Sequence, residues 1–220
     1  MNLLTVKPEK IIYTDVNEID SGITQKVDKE YDRIAKFYDL ALLILPFWKT
    51  WISKVVPFVR GKRVLEVSFG NGYLMTQYAE GDLEIYGIDC NKRMLEIASR
   101  KLTLKSINAN LSLADVEKLP YPDQSFDTVI NTMSFSEYHN GDKAMSEMKR
   151  VLKKGGTLLM IDFDYPACRN LVGYWIVKIR EKMGDIIKDV NGLLKKHGFD
   201  YSDIPIGGYG SVHFFIARKR

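Results

Sequence analysis

Residues 64–74, "VLEVSFGNGYL", run from an apolar, β-branched segment through a turn with two glycines into a helix-like pattern. Val64, Leu65 and Val67 read as a buried strand. Gly70 and Gly72 mark places where the backbone turns tightly and a ligand can come close, because no Cβ intrudes. A Gly-x-Gly pair alone serves an ordinary strand-to-helix turn as well as a ligand-holding one. Ser68 stands where a third glycine would be expected, and serine does not easily adopt a positive φ.

Working outward, from Arg63 onward the short runs "RVLEVS", "LEIYGID", "FDTVIN" and "GTLLMIDF" alternate with helical patterns and turn clusters. That alternation predicts a mostly parallel sheet covered by helices. After Asn91, a suitable N-cap, Met94, Leu95, Ala98 and Leu102 fall at helical spacing. After Asp142, so do Ala144, Met145, Met148, Val151 and Leu152, with the helix ending in Lys153 to Gly156. Ile186, Ile187, Val190, Leu193 and Leu194 form a third helical face, stopped by Gly198. In the tail, Val212, Phe214 and Ile216 alternate with His213, Phe215 and Ala217 behind a turn at Gly207, Gly208 and Gly210, which predicts a closing β-hairpin. Residues 24–60 read as helical, with Val27, Tyr31, Ile34, Phe37 and Tyr38 followed by the aromatic group Phe47, Trp48, Trp51 and Phe58. They serve either as plain core packing or as a lid.

Composition sets the limits. A chain of 220 residues, 45% hydrophobic, supplies one well-buried core. The net charge of +4 comes from basic and acidic residues that are interspersed, so no nucleic-acid partner is expected. Cys90 and Cys168 are far apart and His139, His197 and His213 are isolated, which gives neither a disulfide framework nor a metal site. The most apolar run, residues 40–48 "LALLILPFW", contains a proline and is far shorter than the roughly 20 residues that span a bilayer. The start lacks a signal-peptide pattern, so the expectation is a soluble, cytoplasmic protein without a transmembrane segment.

Ligands of open parallel sheets bind outside the carboxyl ends of the strands. The residues there are Glu66 to Gly72, Asp89, Asp115, Asn131 and Asp162. Asp89 follows Gly72 by seventeen residues. A carboxylate at that strand end can accept hydrogen bonds from both hydroxyls of a ribose. Asp115 could accept from an exocyclic adenine amine while the Val116 amide faces a ring nitrogen.

"VLEVSFGNGYL", "YGIDCNKRMLEIA", "ADVEKLPYPDQSFDTVI" and "EMKRVLKKGGTLLMID" resemble, in order and spacing, the successive motifs of the class I S-adenosylmethionine-dependent methyltransferases, in the branch that methylates quinones and phospholipids. "LLKKHGF" and "GSVHFFIARK" are similar to that family's last helix and reversed strand pair, and "YDRIAKFYD" to its lid helix. The resemblance implies an α/β, Rossmann-like, doubly wound sheet of seven strands with the last antiparallel, and helices on both faces. It implies an N-terminal helical lid over residues 1–60, a methyltransferase domain over 61–220 and a substrate cap near 165–183. It also implies S-adenosylmethionine as cofactor and S-adenosylhomocysteine as product.

By the resemblance, Glu66, Ser68, Gly70 and Gly72 face the methionine part, and Asp89, with Cys90 beside it, takes the ribose. Met94 packs near the adenine, Asp115 and Val116 bind its edge, and the backbone near Asn131 holds the amino group. The cofactor carries no phosphate, so such a site needs carboxylates and no basic cluster. Two departures stand out: Ser68 in place of glycine, and "NTMSFSEYHNGD", where Ser136 and Glu137 replace a pair of histidines common in the branch. If methyl transfer requires a base, His139, Glu137 and Tyr38 are the candidates. The aromatic front and the stretch "YPACRNLVGYWIVKIREKM" favour a small or lipid-like acceptor; a peripheral membrane contact and a monomer or homodimer are compatible with the chain. The competing reading is a protein that binds the cofactor without transferring methyl groups. A nicotinamide-dependent dehydrogenase is disfavoured, since no third glycine stands at Met75.

Overall fold

The computed structural model describes residues 47–167 and 169–220. Most of the expected lid, including Tyr38, lies outside them. Seven strands form one sheet in the order β3-β2-β1-β4-β5-β7-β6. They are β1 (Arg63–Val67), β2 (Glu84–Asp89), β3 (Ala109–Leu113), β4 (Phe126–Thr132), β5 (Leu152–Phe163), β6 (Phe199–Gly207) and β7 (Val212–Lys219). The first five run parallel, and β7 pairs antiparallel with both β5 and β6. The chain order therefore reverses between β1 and β4, and the crevice outside their carboxyl ends is where a ligand is expected.

Each central strand is apolar on both faces because helices cover both. Val64, Ile130, Leu159 and Phe214 pack on one side. That side is covered by α1 (Phe47–Ile52), a 3-10 turn (Ser53–Phe58), α2 (Met75–Tyr78) and α3 (Lys92–Leu104). Leu65, Val129, Met160 and Phe215 pack on the other side, under α4 (Gly141–Val151) and α6 (Val190–Lys196). The described end of the front segment is core: Ile52 and Val55 are buried, and Phe58 meets Phe214 edge-on.

The caps explain where helices start. The Asn91 side chain accepts from the amides of Arg93 and Met94, and that of Asn140 accepts from Lys143. Two boundaries differ from expectation. The helix expected to end beyond Leu152 stops at Val151, because Leu152 is buried in extended form opposite Phe126 and already belongs to β5. The helix expected from Ile186 begins only at Val190, capped by Asp189. Upstream, the Ile186 amide donates to the Ser136 carbonyl and Lys188 Nζ to the carbonyls of Phe135 and Ser136, so this segment clamps the loop after β4. The stretch expected to form a cap contains α5 (Leu171–Lys182), started by Asn170, whose side chain accepts from the amides of Val172 and Gly173.

Candidate cofactor site

The turn after β1 has an alternating backbone: Ser68, Gly70 and Gly72 have φ of 53°, 55° and 69°. Ser68 thus takes the conformation that serine was expected to avoid, at a cost of about 1–2 kcal/mol. A side-chain partner offsets it: Ser68 Oγ lies 2.8 Å from the Tyr138 hydroxyl. Asp89, buried at the end of β2, ties the turn down. Its Oδ2 accepts from the Gly70 amide at 2.8 Å and its Oδ1 from the Asn91 amide at 2.8 Å. Burial raises its carboxyl above the usual range, opposed by those two bonds. A carboxylate has about four acceptor positions, so two are left for a diol.

Glu66 points to the face covered by α2, where its Oε2 accepts from the Tyr78 hydroxyl at 3.0 Å. Burial pushes its carboxyl up to about 8; the Tyr78 bond opposes this and the nearby Asp89 charge adds to it. A fully buried acid that is largely neutral at pH 7 is ready to ionise when a cation enters. Tyr78 went unnoticed in the sequence; helical spacing with Leu74 and Met75 marks its ring as core but says nothing of its hydroxyl.

Asn131, fully buried at the end of β4, donates through Nδ2 to Ser134 Oγ (2.9 Å) and Tyr138 Oη (2.6 Å). Its Oδ1 is buried with no hydrogen-bond partner. Interior acceptors normally find donors, so an orphan at the switch point signals a missing one. The ammonium of S-adenosylmethionine would supply such a donor, and the nearby carboxyls of Glu66 and Asp89 would suit its sulfonium. The residues therefore fit the cofactor.

On the other flank, Ala114 bonds through its amide to the Asp89 carbonyl, which places the β2 and β3 ends side by side. Exposed Asp115 caps the 3-10 turn Val116–Lys118, accepting from the Glu117 amide at 2.8 Å. The Val116 side chain is buried in the core, leaving only its backbone for a ligand. Cys90 is exposed and Met94 half-buried in the first turn of α3. Asp89, Cys90, Met94, Asp115 and Val116 thus lie at or just after the ends of β2 and β3, and Glu66, Ser68 and Asn131 at or just after the ends of β1 and β4.

His139 and Glu137 are both exposed, in and just after the 3-10 turn Phe135–Glu137. His139 lines a depression of about 450 Å³ with Asp142, Lys188, Asp189 and Lys196, between α4 and α6. That depression is not over the glycine turn. Burial raises the Cys90 thiol and the Tyr138 hydroxyl above their usual ranges, and the charge of Glu137 adds a small part to both, which puts Glu137 near the carboxyl edge of the sheet.

The two glycines separate experimentally. A Cβ on Gly70 would meet no atom within 4 Å, whereas one on Gly72 would come within 2.9 Å of Ala98 Cβ on α3. Gly72→Ala is expected to lower stability by about 2 kcal/mol through overpacking and the positive φ. Gly70→Ala should cost about 1 kcal/mol of stability, but weaken cofactor binding at least tenfold by filling the open side of the turn. Thermal unfolding and calorimetric titration of the two variants check this division.

Comparison with known proteins bears on the family and the fold. Residues 65–160 match the methyltransferase domain family Methyltransf_11. A ubiquinone/menaquinone biosynthesis C-methyltransferase of Neisseria meningitidis is 30% identical over 185 residues, covering 80% of this chain and 75% of that protein. Its counterpart in Shewanella baltica is 32% identical over 178 residues, covering 77% and 70%. Among solved structures, an S-adenosylmethionine-dependent methyltransferase of Thermotoga maritima superposes with a TM-score of 0.68 at 20% identity, covering 86% of this chain and 98% of that one. The [4+2]-cyclase SpnF does so with 0.71 at 18% identity, covering 89% and 96%. At such identities the likeness is one of fold, and activity has to be argued from the site. The motifs in register, the relatives and the seven-stranded sheet with its last strand reversed converge: the chain belongs to the class I S-adenosylmethionine-dependent methyltransferases, in the quinone-methylating branch.

Proposed function

We propose that this methyltransferase methylates a ring carbon of a lipid-like, quinol-type acceptor. The observation that carries the acceptor class is that relatives across four-fifths of the chain bear the name of C-methyltransferases of ubiquinone and menaquinone biosynthesis. The outward face of α5 supports it: Leu171, Val172, Trp175, Ile179 and the following Met183 are all more than half exposed. Residues 165–183 serve as the acceptor cap, and the apolar face of α5 meets the membrane in which such an acceptor dissolves. Among the described residues no helix is long and apolar enough to cross a membrane.

In this reading Glu66, Ser68, Gly70, Gly72 and Asn131 hold the methionine end of the cofactor. Asp89 and Cys90 hold its ribose, and Met94, Asp115 and Val116 its adenine. Bound there, the cofactor supplies a methyl carbon activated by a positive sulfur. The chain's part is to align the acceptor behind that carbon and keep water out. Glu137, near Cys90 at the carboxyl edge of the sheet, removes the ring hydroxyl's proton, which raises electron density on the adjacent carbon. Methyl transfer to that carbon would leave the electron pair of the broken S–C bond on sulfur; the ring carbon would then lose its own proton and the oxygen regain one, restoring the aromatic ring, so that one proton is released overall.

The test is label transfer from methyl-labelled S-adenosylmethionine to short-prenyl naphthoquinol and benzoquinol acceptors. Labelled ring product is expected, with Glu137→Gln lowering kcat more than it raises the cofactor KM. Label appearing only in polar metabolites, with none on either quinol, would overturn the acceptor class.

A further inference from the structure

The Tyr138 hydroxyl joins the two chain segments that flank the switch point, the turn after β1 and the loop after β4. Its oxygen lies 2.8 Å from Ser68 Oγ, 2.6 Å from Asn131 Nδ2 and 3.2 Å from Ser134 Oγ, and Asn131 Nδ2 also donates to Ser134 Oγ at 2.9 Å. With Asn131 Nδ2 as the donor to both oxygens, counting protons selects one direction for the two contacts in which either hydroxyl could donate. Both Asn131 amide protons are used, one on Ser134 Oγ and one on Tyr138 Oη. Ser134 is buried, and the acceptor within reach of its own proton is Tyr138. With two bonds accepted, the Tyr138 oxygen is full, and its proton goes to Ser68 Oγ. The opposite direction would leave the Ser134 proton unpaired in the interior, which proteins avoid. The hydroxyl proton left over is that of Ser68, which is only partly buried and stands on the turn itself.

We propose that Tyr138 is a positioning residue of the cofactor site. By donating to Ser68 Oγ it holds the serine in its positive-φ conformation and turns the Ser68 hydroxyl proton outward, as a donor to the carboxylate at the amino-acid end of the cofactor. The inference rests on that end lying over the Gly70 turn, as proposed above. The division of labour is chemical. Glu66 and the orphan Asn131 Oδ1 are acceptors, suited to the ammonium, whereas the carboxylate needs donors, and Ser68 offers one that a glycine could not. The departure from glycine is thereby part of the site, and Tyr138 is what makes it workable.

The experiment is calorimetric titration with S-adenosylmethionine and with its decarboxylated analogue. Tyr138→Phe is expected to weaken S-adenosylmethionine about tenfold, the usual range for losing a hydrogen bond to a charged group, and to leave the decarboxylated ligand within about twofold. In steady state it raises the cofactor KM more than it lowers kcat. In a Ser68→Gly background, where φ is free and no hydroxyl is present, Tyr138→Phe changes affinity by less than about twofold. If Tyr138→Phe does not fold, Ser68→Ala alone removes the donor and should show the same contrast between the two ligands. Unchanged affinity, an equal loss for both ligands, or an equal loss in the Ser68→Gly background would each overturn the proposal. Failure of the underlying site placement is distinct: it would show as Asp89→Ala binding S-adenosylmethionine normally.

Discussion

Asp89→Ala is expected to lower affinity for S-adenosylhomocysteine by at least about 100-fold, since two hydrogen bonds from a ribose diol to a carboxylate contribute on the order of 3 kcal/mol together. The structure adds a second consequence. The same carboxylate accepts the amides of Gly70 and Asn91, so the alanine leaves two N–H groups without their partner and loosens the turn. A stability loss of about 1–3 kcal/mol accompanies the binding loss. Asp89→Asn separates the two roles. It keeps an oxygen for one amide, opposes an NH2 to the other, and should bind intermediately. Calorimetry read beside thermal unfolding measures both, and an Asp89→Ala protein that folds and binds with unchanged affinity would sink the ribose assignment.

The sheet was legible because its strands are buried on both sides and therefore written as dense apolar runs, and because Asn91 caps α3 where the sequence places a cap. The closing hairpin was legible from its change of period. Residues 185–189 were not: Ile186 and Ile187 keep helical spacing with Val190, yet the backbone there is spent on the loop after β4, a tertiary demand that local periodicity does not record. The candidate site divides in the same way. Glu66, Gly70, Gly72, Asp89 and Asp115 stand at strand ends, where topology alone selects them. Tyr138 and Tyr78 act through hydroxyls that reach across 70 and 12 residues of chain, and no spacing rule marks such contacts. The one available sign was Ser68 itself: a non-glycine in a turn that requires positive φ calls for a partner, and the partner is Tyr138.

Glu66 should make cofactor binding depend on pH. Its carboxyl, near 8 in the ligand-free protein, is largely protonated at pH 6–7. A sulfonium and an ammonium entering the same pocket favour the carboxylate, so binding below pH 8 expels a proton. Affinity for S-adenosylmethionine is then expected to rise with pH between 6 and 8, by up to about tenfold per unit, and to level off above. Stability of the ligand-free protein runs the other way. The unfolded chain loses this proton near its ordinary value of 4.5 and the folded chain near 8, so in that window the folded state holds the extra proton and its stability falls as pH rises. Glu66→Gln keeps an oxygen for the Tyr78 hydroxyl but cannot ionise. The variant should match its parent in stability near pH 5 and exceed it at pH 8 by on the order of 3–4 kcal/mol, the slope owed to Asp89 remaining in both. Its affinity should be flat across pH 6–8 and about tenfold or more below the parent at pH 8, because a neutral amide replaces a charge facing a cation. Titrations in buffers of different ionisation enthalpy would count the proton released by the parent. A parent whose affinity is constant from pH 6 to 8 would remove Glu66 from the cationic end of the cofactor.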